Sequence, residues 1–374
     1  MITTLAVSGY RSLRDLSLEL HPLTVVTGAN GSGKSTLYRA LRLLAATARD
    51  GAIAALAQEG GFPGALWAGP SQGGARSGPV ALRLGFASDD FGYAVDLGMP
   101  VPSHTMFDRD PEIKVESVWA GPVLRPSTAL TERRGPHVKV RDAAGTWDSH
   151  EVRLASFDSM LAQLADPENA AELLTLRERM RSWRFYYQFR TDDGAPARRS
   201  RVGTRTPVLG SDGADLAAAV QTILELTPQG PFSAAIDAAF PGSRVCVDSR
   251  DGFFDLRMTQ PGLLRPLSAA ELSDGTLRYL LWAAALLSPR PAPFLVLNEP
   301  ETSLHPELVE PLAGLVAEAS RHSQILVVTH SARLIEALEG ETRPHLVELH
   351  KVDGETLVSG HGMLDGPRWS WPKR

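Results

Sequence analysis

One eight-residue stretch narrows the choice of fold more than any other: Gly28-Ala29-Asn30-Gly31-Ser32-Gly33-Lys34-Ser35. Its spacing, Gly-x4-Gly-Lys-Ser, is that of a phosphate-binding loop, and the flanks are the ones such a loop needs. Leu23-Thr24-Val25-Val26-Thr27 reads as a buried strand, and Leu37, Leu41 and Leu44 fall on one face of a following helix. Glycines let successive N–H groups turn toward one point, and the helix N-terminus adds partial positive charge there. A triphosphate suits that nest. Asn30, Gly31, Ser32, Gly33 and Thr36 are expected to surround it, Lys34 to reach the β- and γ-phosphates, and the Ser35 hydroxyl to hold Mg2+.

The rest of the composition is that of a globular chain. The 374 residues are 43% hydrophobic and 22% charged, with a formal charge of −5, which leaves ample material for a core. Cys246 is the single cysteine, so neither a disulfide framework nor a cysteine zinc site is expected. Met1-Ile2-Thr3-Thr4-Leu5-Ala6-Val7 lacks a basic lead, and no run of apolar residues is long enough to span a bilayer. The expectation is a cytoplasmic protein. Its mild acidity argues against wholesale nucleic-acid binding, while leaving room for a local patch.

Along the chain, residues 1–50 predict strand, turn, strand, strand, loop and helix. Residues 51–78, rich in Gly, Ala and Pro, predict a loop with a short helix at Ala52–Gln58. Residues 79–150 read as β structure, with a hairpin formed by Val80–Phe86 and Phe91–Leu97 and another strand at Lys114–Ala120. Trp-Ala-Gly-Pro occurs at Trp67–Pro70 and again at Trp119–Pro122, and both copies read as strand-end turns. Residues 151–190 are helical in pattern, broken at Asp166-Pro167, and 191–210 form a polar loop. Ser211-Asp212-Gly213 opens a helix through Leu216, Val220, Ile223 and Leu224, and strands follow at Arg244–Val247, Phe253–Thr259 and Leu263–Leu267. The last third alternates: helix 269–288, strand 293–298, helix 307–320, strand 324–329, helix 331–338. That alternation predicts a parallel sheet with crossover helices, closed by a hairpin at Leu346–His350 and Thr356–Val358.

Four further segments carry chemistry. Phe294-Leu295-Val296-Leu297 suits a strand covered on both faces and delivers Asn298-Glu299 at its C-terminal end, where open α/β sheets place ligands. In that position Asn298 should assist Mg2+ and Glu299 should polarise an attacking water. Leu272-Ser273-Asp274-Gly275-Thr276 opens an amphipathic helix whose serine and glycine form a second anion site. Glu301-Thr302-Ser303-Leu304-His305-Pro306 is a turn just past the Asn298-Glu299 strand. Gln324–Thr329 is a second strand ending at His330-Ser331, where a histidine can touch a γ-phosphate.

In this order the five segments resemble the heads of ABC-type ATPases, and the chain is similar to the SMC/RecF/OLD branch of small bacterial predicted ATPases. The resemblance runs from Gly9-Tyr10-Arg11-Ser12 to residue 50 and from 268 to 350, with looser matches at Trp183–Tyr187 and Ser211–Leu216. It implies an α/β P-loop NTPase, head-like, with a mixed-sheet core and an N-terminal β lobe. Residues 1–374 would form a single ATPase domain, with 51–267 an insertion between the phosphate loop and the signature helix. It also implies that two copies pair head to tail around ATP, with Ser273 and Gly275 of one touching the γ-phosphate held by the other. Arg11 would approach the phosphates, Glu299 would be the catalytic carboxylate and His330 the switch residue. Gln163 and Gln188 are both candidates for the remaining Mg2+-shell glutamine. Hydrolysis would loosen the dimer, a switch thrown by one phosphate. The family pattern has an acid before the catalytic glutamate; Asn298 brings no charge, which predicts slow hydrolysis or an ATP-gated clamp that rarely hydrolyses.

Three other classes compete. A transporter nucleotide-binding subunit would have a shorter gap than the 237 positions from Ser35 to Leu272. An OLD-type nuclease would need a cluster of acidic metal ligands, and the 44 residues after His330 show none, so cleavage would fall to a partner subunit acting as effector. A DNA- or RNA-binding clamp is suggested by nine arginines between Arg177 and Arg205, with Trp183, Phe185, Tyr186 and Tyr187 interleaved, though a solvated surface with core-facing aromatics explains the same run. No sustained heptads announce a coiled-coil arm.

Overall fold

The computed structural model describes residues 1–69, 80–102, 104–142, 144–149, 153–227, 230–360 and 366–374. Residues 70–78 of the expected loop, with Pro70 of the first Trp-Ala-Gly-Pro turn, lie outside these. So do 79, 103, 143 and 150 of the β stretch and 151–152 of the helical stretch. The chain divides into two compact units, one of residues 1–21, 26–183 and 347–374, the other of 22–25 and 184–346.

β1 (Ile2–Tyr10) and β2 (Leu13–Glu19) belong to the first unit, and β3 (Leu23–Gly28), whose residues 23–25 are counted with the second, leads through the glycine loop into α1 (Lys34–Ala46), as the sequence predicts. Then come α2 (Ala52–Gln58), α3 (Gly61–Ala65), β4 (Ala81–Ser88), β5 (Phe91–Gly98), β6 (Glu112–Ala120), β7 (Ala129–Arg134), β8 (His137–Arg141), β9 (Trp147–Ser149), α4 (Met160–Gln163) and α5 (Ala171–Arg181). Among the described residues an eight-stranded antiparallel sheet runs β2-β1-β4-β5-β6-β7-β8-β9. Alternating residues make it: Leu82, Leu84 and Phe86 on β4 and Tyr93, Val95 and Leu97 on β5 are all buried. The second Trp-Ala-Gly-Pro copy is the strand-end turn expected, with Gly121 at φ 75°. The first is not: Trp67 follows α3 and a one-residue bridge from Tyr10 to Leu66.

The helical pattern read over 151–190 holds only in part. Asp166 caps the break by accepting from the N–H groups of Glu168 and Asn169. The helix ends at Arg181, because the aromatic run that follows extends into β10 (Arg184–Tyr186), which lies in the second unit and pairs in parallel with β15 below.

The second unit continues with β11 (Arg201–Val202), α6 (Leu216–Leu226), α7 (Pro231–Ala239), β12 (Arg244–Arg250), β13 (Phe253–Thr259), β14 (Leu267–Ser268), α8 (Asp274–Leu286), β15 (Phe294–Asn298), α9 (Val309–Ala319), β16 (Gln324–Val328) and α10 (Ala332–Glu341). The strands β10, β15 and β16 are parallel, in register Tyr186↔Leu297 and Asn298↔Val328, as the βαβ alternation requires. Every residue of β15 and β16 is buried, and the core over them centres on Trp282, Tyr186 and Phe189, edge to face at 5.0–6.2 Å. Helix α7 has no counterpart among the elements expected from sequence. Strand 263–267 shrinks to β14 because Gln260-Pro261-Gly262 turns the chain, with Gly262 at φ 83°. The helix expected from 269 starts at Asp274, and a 3-10 turn at Pro306–Leu308 precedes α9. The chain ends in β17 (His345–Val352) and β18 (Glu355–Val358), the hairpin the tail predicts, in register Leu349↔Val358.

One ionic knot holds the first unit's far strands. Glu116 and Arg133 are both fully buried and pair at 3.0 Å. The carboxylate also accepts from Tyr93 Oη (2.7 Å), Ser159 Oγ (2.6 Å) and Met160 N (2.8 Å). Arg133 donates to the carbonyls of Gly135, Ala155 and Asp158, so the knot ties the segment before α4 to β6 and β7. Removing one partner strands a buried charge, which costs about 3–5 kcal/mol. Arg133→Met should therefore lower the urea midpoint sharply, and Glu116→Leu with Arg133→Met should recover only part of the loss, since no unpaired charge then remains but Tyr93, Ser159 and Met160 lose their acceptor.

Candidate functional site

The phosphate loop in the first unit has the backbone its glycines allow: Gly28, Gly31 and Gly33 sit at φ 143°, 80° and 112°. Two of the three are also forced by space. A Cβ on Gly28 would lie 2.1 Å from Leu349 O on β17, and one on Gly33 would lie 2.2 Å from Thr356 Oγ1 on β18. Thr356 is a brace that the motif does not announce. Its hydroxyl meets Ser32 O at 2.8 Å and Ser12 Oγ at 2.9 Å, so the loop is held from a strand more than 300 residues away. Lys34 is buried, and its Nζ donates to Gly28 O (2.6 Å) and Ala29 O (3.0 Å). Gly33 caps α1 without a side-chain bond, and the first turn holds no acid, so the amide donors of the loop face no competing carboxylate from the helix. Asn30, Gly31 and Ser35 are exposed, Thr36 is half-buried, and Ser32 is buried with its Oγ unpartnered.

Arg11, expected near phosphates, sits at φ 48° and pairs with Glu59 at 3.2 Å. The same carboxylate accepts from Tyr10 Oη. Burial, and then that carboxylate, raises the Tyr10 phenol far above its ordinary range.

In the second unit the parallel register brings two motif residues together. Glu299 N donates to Val328 O (2.7 Å), extending the ladder one step beyond Asn298. Glu299 then turns at φ 47°, a strained position for a residue with a side chain. Its Oε1 lies 3.2 Å from His330 Nδ1, with the two side chains 36% and 50% exposed. Asn298 is buried, and its Oδ1 accepts no hydrogen bond. That is a hard oxygen of the kind Mg2+ or its bound water takes, so the residue present fits the ion expected there. Beneath the pair lies a residue that motif reading passes over. Glu301 is tied to the buried Thr329 hydroxyl through Oε1, while its Oε2 is buried and unpartnered.

Ser273 and Gly275 occupy the head of α8. Ser273 caps the helix by accepting from Thr276 N (3.2 Å), and a Cβ built on half-buried Gly275 would lie 4.0 Å from His305 N and Ser303 O. The helix starts late because an arginine clamps the residues before it. Arg198 Nη1 donates to Ala269 O, Ala270 O and Leu272 O at 2.7–3.2 Å, its Nη2 meets Asp274 at 2.6 Å, and its Nε donates to Thr191 O. From within α8, buried Arg278 donates to Thr302 O (2.5 Å), Phe189 O (3.3 Å) and Thr191 Oγ1 (3.0 Å). The signature helix and the turn after Glu299 are thus fastened to each other. Nothing in residue spacing signals either arginine.

The arginine run is mostly engaged in holding the fold. Arg179 pairs with Asp90, Arg181 with Glu178, Arg190 with Asp192, Arg198 with Asp274 and Arg205 with Glu225. Trp183 and Tyr186 are buried, so the base-stacking role considered for them fails on access; Tyr187 is exposed. Of the two glutamines, Gln163 closes α4 with its Nε2 3.4 Å from Asp158, and Gln188 is exposed beyond β10.

Burial raises the Glu301 carboxyl above its ordinary range, with Glu299 adding to the rise and Thr329 and His330 opposing it. A raised acid destabilises the fold where it is ionised and ceases to as it protonates. Glu301→Gln should therefore be more stable than wild type at neutral pH, with the advantage shrinking as pH falls through the folded pKa toward the unfolded carboxylate range. Urea midpoints of the two proteins at several pH values measure it.

Three comparisons bear on this arrangement. A solved SMC head bound to the C-winged helix domain of ScpA superposes with a TM-score of 0.51, at 15% identity over 96% of this chain and 97% of that one. An SMC head from Thermotoga maritima gives 0.47 at 17% identity, over 97% and 99%. A 44-residue stretch is 46% identical to an OLD nuclease of Thermus scotoductus, and it spans 12% of this chain and 8% of that relative. The first likeness gives the fold, that of a P-loop NTPase head. Residues 23–336, from the strand before the phosphate loop to the helix after His330, match the family described as "AAA domain, putative AbiEii toxin, Type IV TA system", and the chain belongs to that family, on the SMC/RecF/OLD-like branch of nucleotide-binding ATPases.

Proposed function

We propose that the chain binds ATP with Mg2+, hydrolyses it slowly, and pairs head to tail with a second copy while the γ-phosphate is present. The observation that carries this reading is the contact of Glu299 with His330 at the ends of adjacent parallel strands, in a chain that also holds an intact Gly-x4-Gly-Lys-Ser loop. Lys34 exchanges the carbonyls of Gly28 and Ala29 for phosphate oxygens, so binding replaces one set of acceptors with a more strongly charged one. Glu299 orients water and takes its proton. His330, which meets Glu299 at 3.2 Å, turns to the γ-phosphate and frees the carboxylate. Mg2+, when bound, supplies neutralising charge, with Ser35 and Asn298 as its protein oxygens. Ser273 and Gly275 of the second copy complete the cage, and the exposure of Ser273 at the head of α8 supports that role.

A protein effector is part of this reading, supported by the winged-helix domain of ScpA that the similar SMC head binds. A setting in a defence or repair complex is supported by the family's description and the OLD nuclease stretch.

Hydrolysis assays with sizing chromatography test it. Lys34→Ala should lose ATP binding. Glu299→Gln should bind ATP normally, turn over about 10²–10⁴-fold more slowly, and elute as a dimer with ATP. A Glu299→Gln chain that stays monomeric in saturating ATP overturns the paired-head reading. Adding DNA in parallel runs shows whether nucleic acid alters either property.

A further inference from the structure

We infer that Glu301 and Thr329 form a positioning brace that sets the contact between Glu299 and His330, making Glu301 a functional member of the site that no motif assigns. The inference rests on the reading of Glu299 and His330 as the hydrolytic pair.

The exposed contact is weak by itself. Two partly solvated side chains 3.2 Å apart contribute little, and each stands on a loop leaving a strand end. Something must hold the two loops so that the chains meet. The ladder bond from Glu299 N to Val328 O fixes only the first step. Beyond it, Glu299 is at φ 47° and Ser303 at φ 63°, so the turn departs from the sheet at once. The next tie between the loops is the bond from Thr329 Oγ1 to Glu301 Oε1. Thr329 is fully buried, immediately precedes His330, and also accepts from Ser331 N at 3.0 Å. Glu301 is two residues after Glu299, and its own carbonyl accepts from Leu304 N at 3.0 Å. The brace therefore pins both backbones within two residues of the reacting pair.

The choice of residue carries weight too. Burying a carboxylate with one oxygen unpartnered is unfavourable, and a neutral side chain would tie the loops with a smaller penalty.

The experiment uses the full chain and four variants: Thr329→Val, Glu301→Ala, the double variant, and Glu301→Gln, which keeps an acceptor for Thr329. Thr329→Val and Glu301→Ala should each lower kcat about tenfold while KM and the affinity for a fluorescent ATP analogue stay within about twofold. The double variant should be no slower than either single one, since both break one bond. Glu301→Gln should keep most of kcat. A second readout needs no hydrolysis: in the nucleotide-free protein, Glu299→Gln should move the His330 ring resonance in the wild-type background and not in Thr329→Val. Unchanged kcat in both single variants, additive losses in the double, or a His330 resonance that still responds to Glu299→Gln in Thr329→Val would overturn the brace. A wild-type chain that binds ATP but never hydrolyses it would instead overturn the reading of the pair as hydrolytic, and the resonance result would still decide the brace.

Discussion

The chemistry of this chain hangs on the parallel pairing of β15 with β16. Register Asn298↔Val328 ends the two strands level with each other, and Glu299 N takes the last ladder bond. A slip of one residue would send every side chain on β15 to the other face of the sheet. Glu299 and His330 would then leave on opposite sides. That register is secured by the apolar content of the strands: both are buried throughout, and the helices α8 and α9 cover them. Packing energy far from the site thus fixes a distance of 3.2 Å at the site.

Local signals are legible in the sequence because their causes are local. The glycine loop shows in the text of the chain since only glycine takes φ between 80° and 143° there, and the parallel strands show as unbroken apolar runs. What the sequence hides is long-range. Thr356 braces the phosphate loop from the far end of the chain, and Arg198 holds back the start of α8 from 70-odd positions upstream. Neither spacing nor periodicity encodes such contacts. Strand β10 reads as helix from sequence because three residues carry no period, and its identity comes from the vacant edge of β15 that it fills.

The arginine run illustrates the same limit from the other side. Composition presents nine cations with aromatics as a basic patch. Placement turns six of them to carboxylates, and two of the four aromatics to the core. Arg198 is the clearest instance: a residue counted toward phosphate binding directs all three of its side-chain nitrogens to the backbone and to Asp274. Charge counted along a chain measures a potential partner only after the chain's own acceptors have been served.

Asn298 gains a reason from its surroundings. Within four residues the turn already carries Glu299 and the half-buried Glu301, and Glu299 is one of the charges that raises the Glu301 carboxyl. An aspartate at 298 would add a third carboxylate, almost wholly buried, at the end of a strand where every other side chain is apolar. Without a cation that cluster would be strongly self-repelling. The amide keeps an oxygen donor at the same position and removes the repulsion, so the strand end is stable whether or not nucleotide is bound. The corresponding loss is charge: the amide oxygen at 298 offers a cation no negative charge, where an aspartate would.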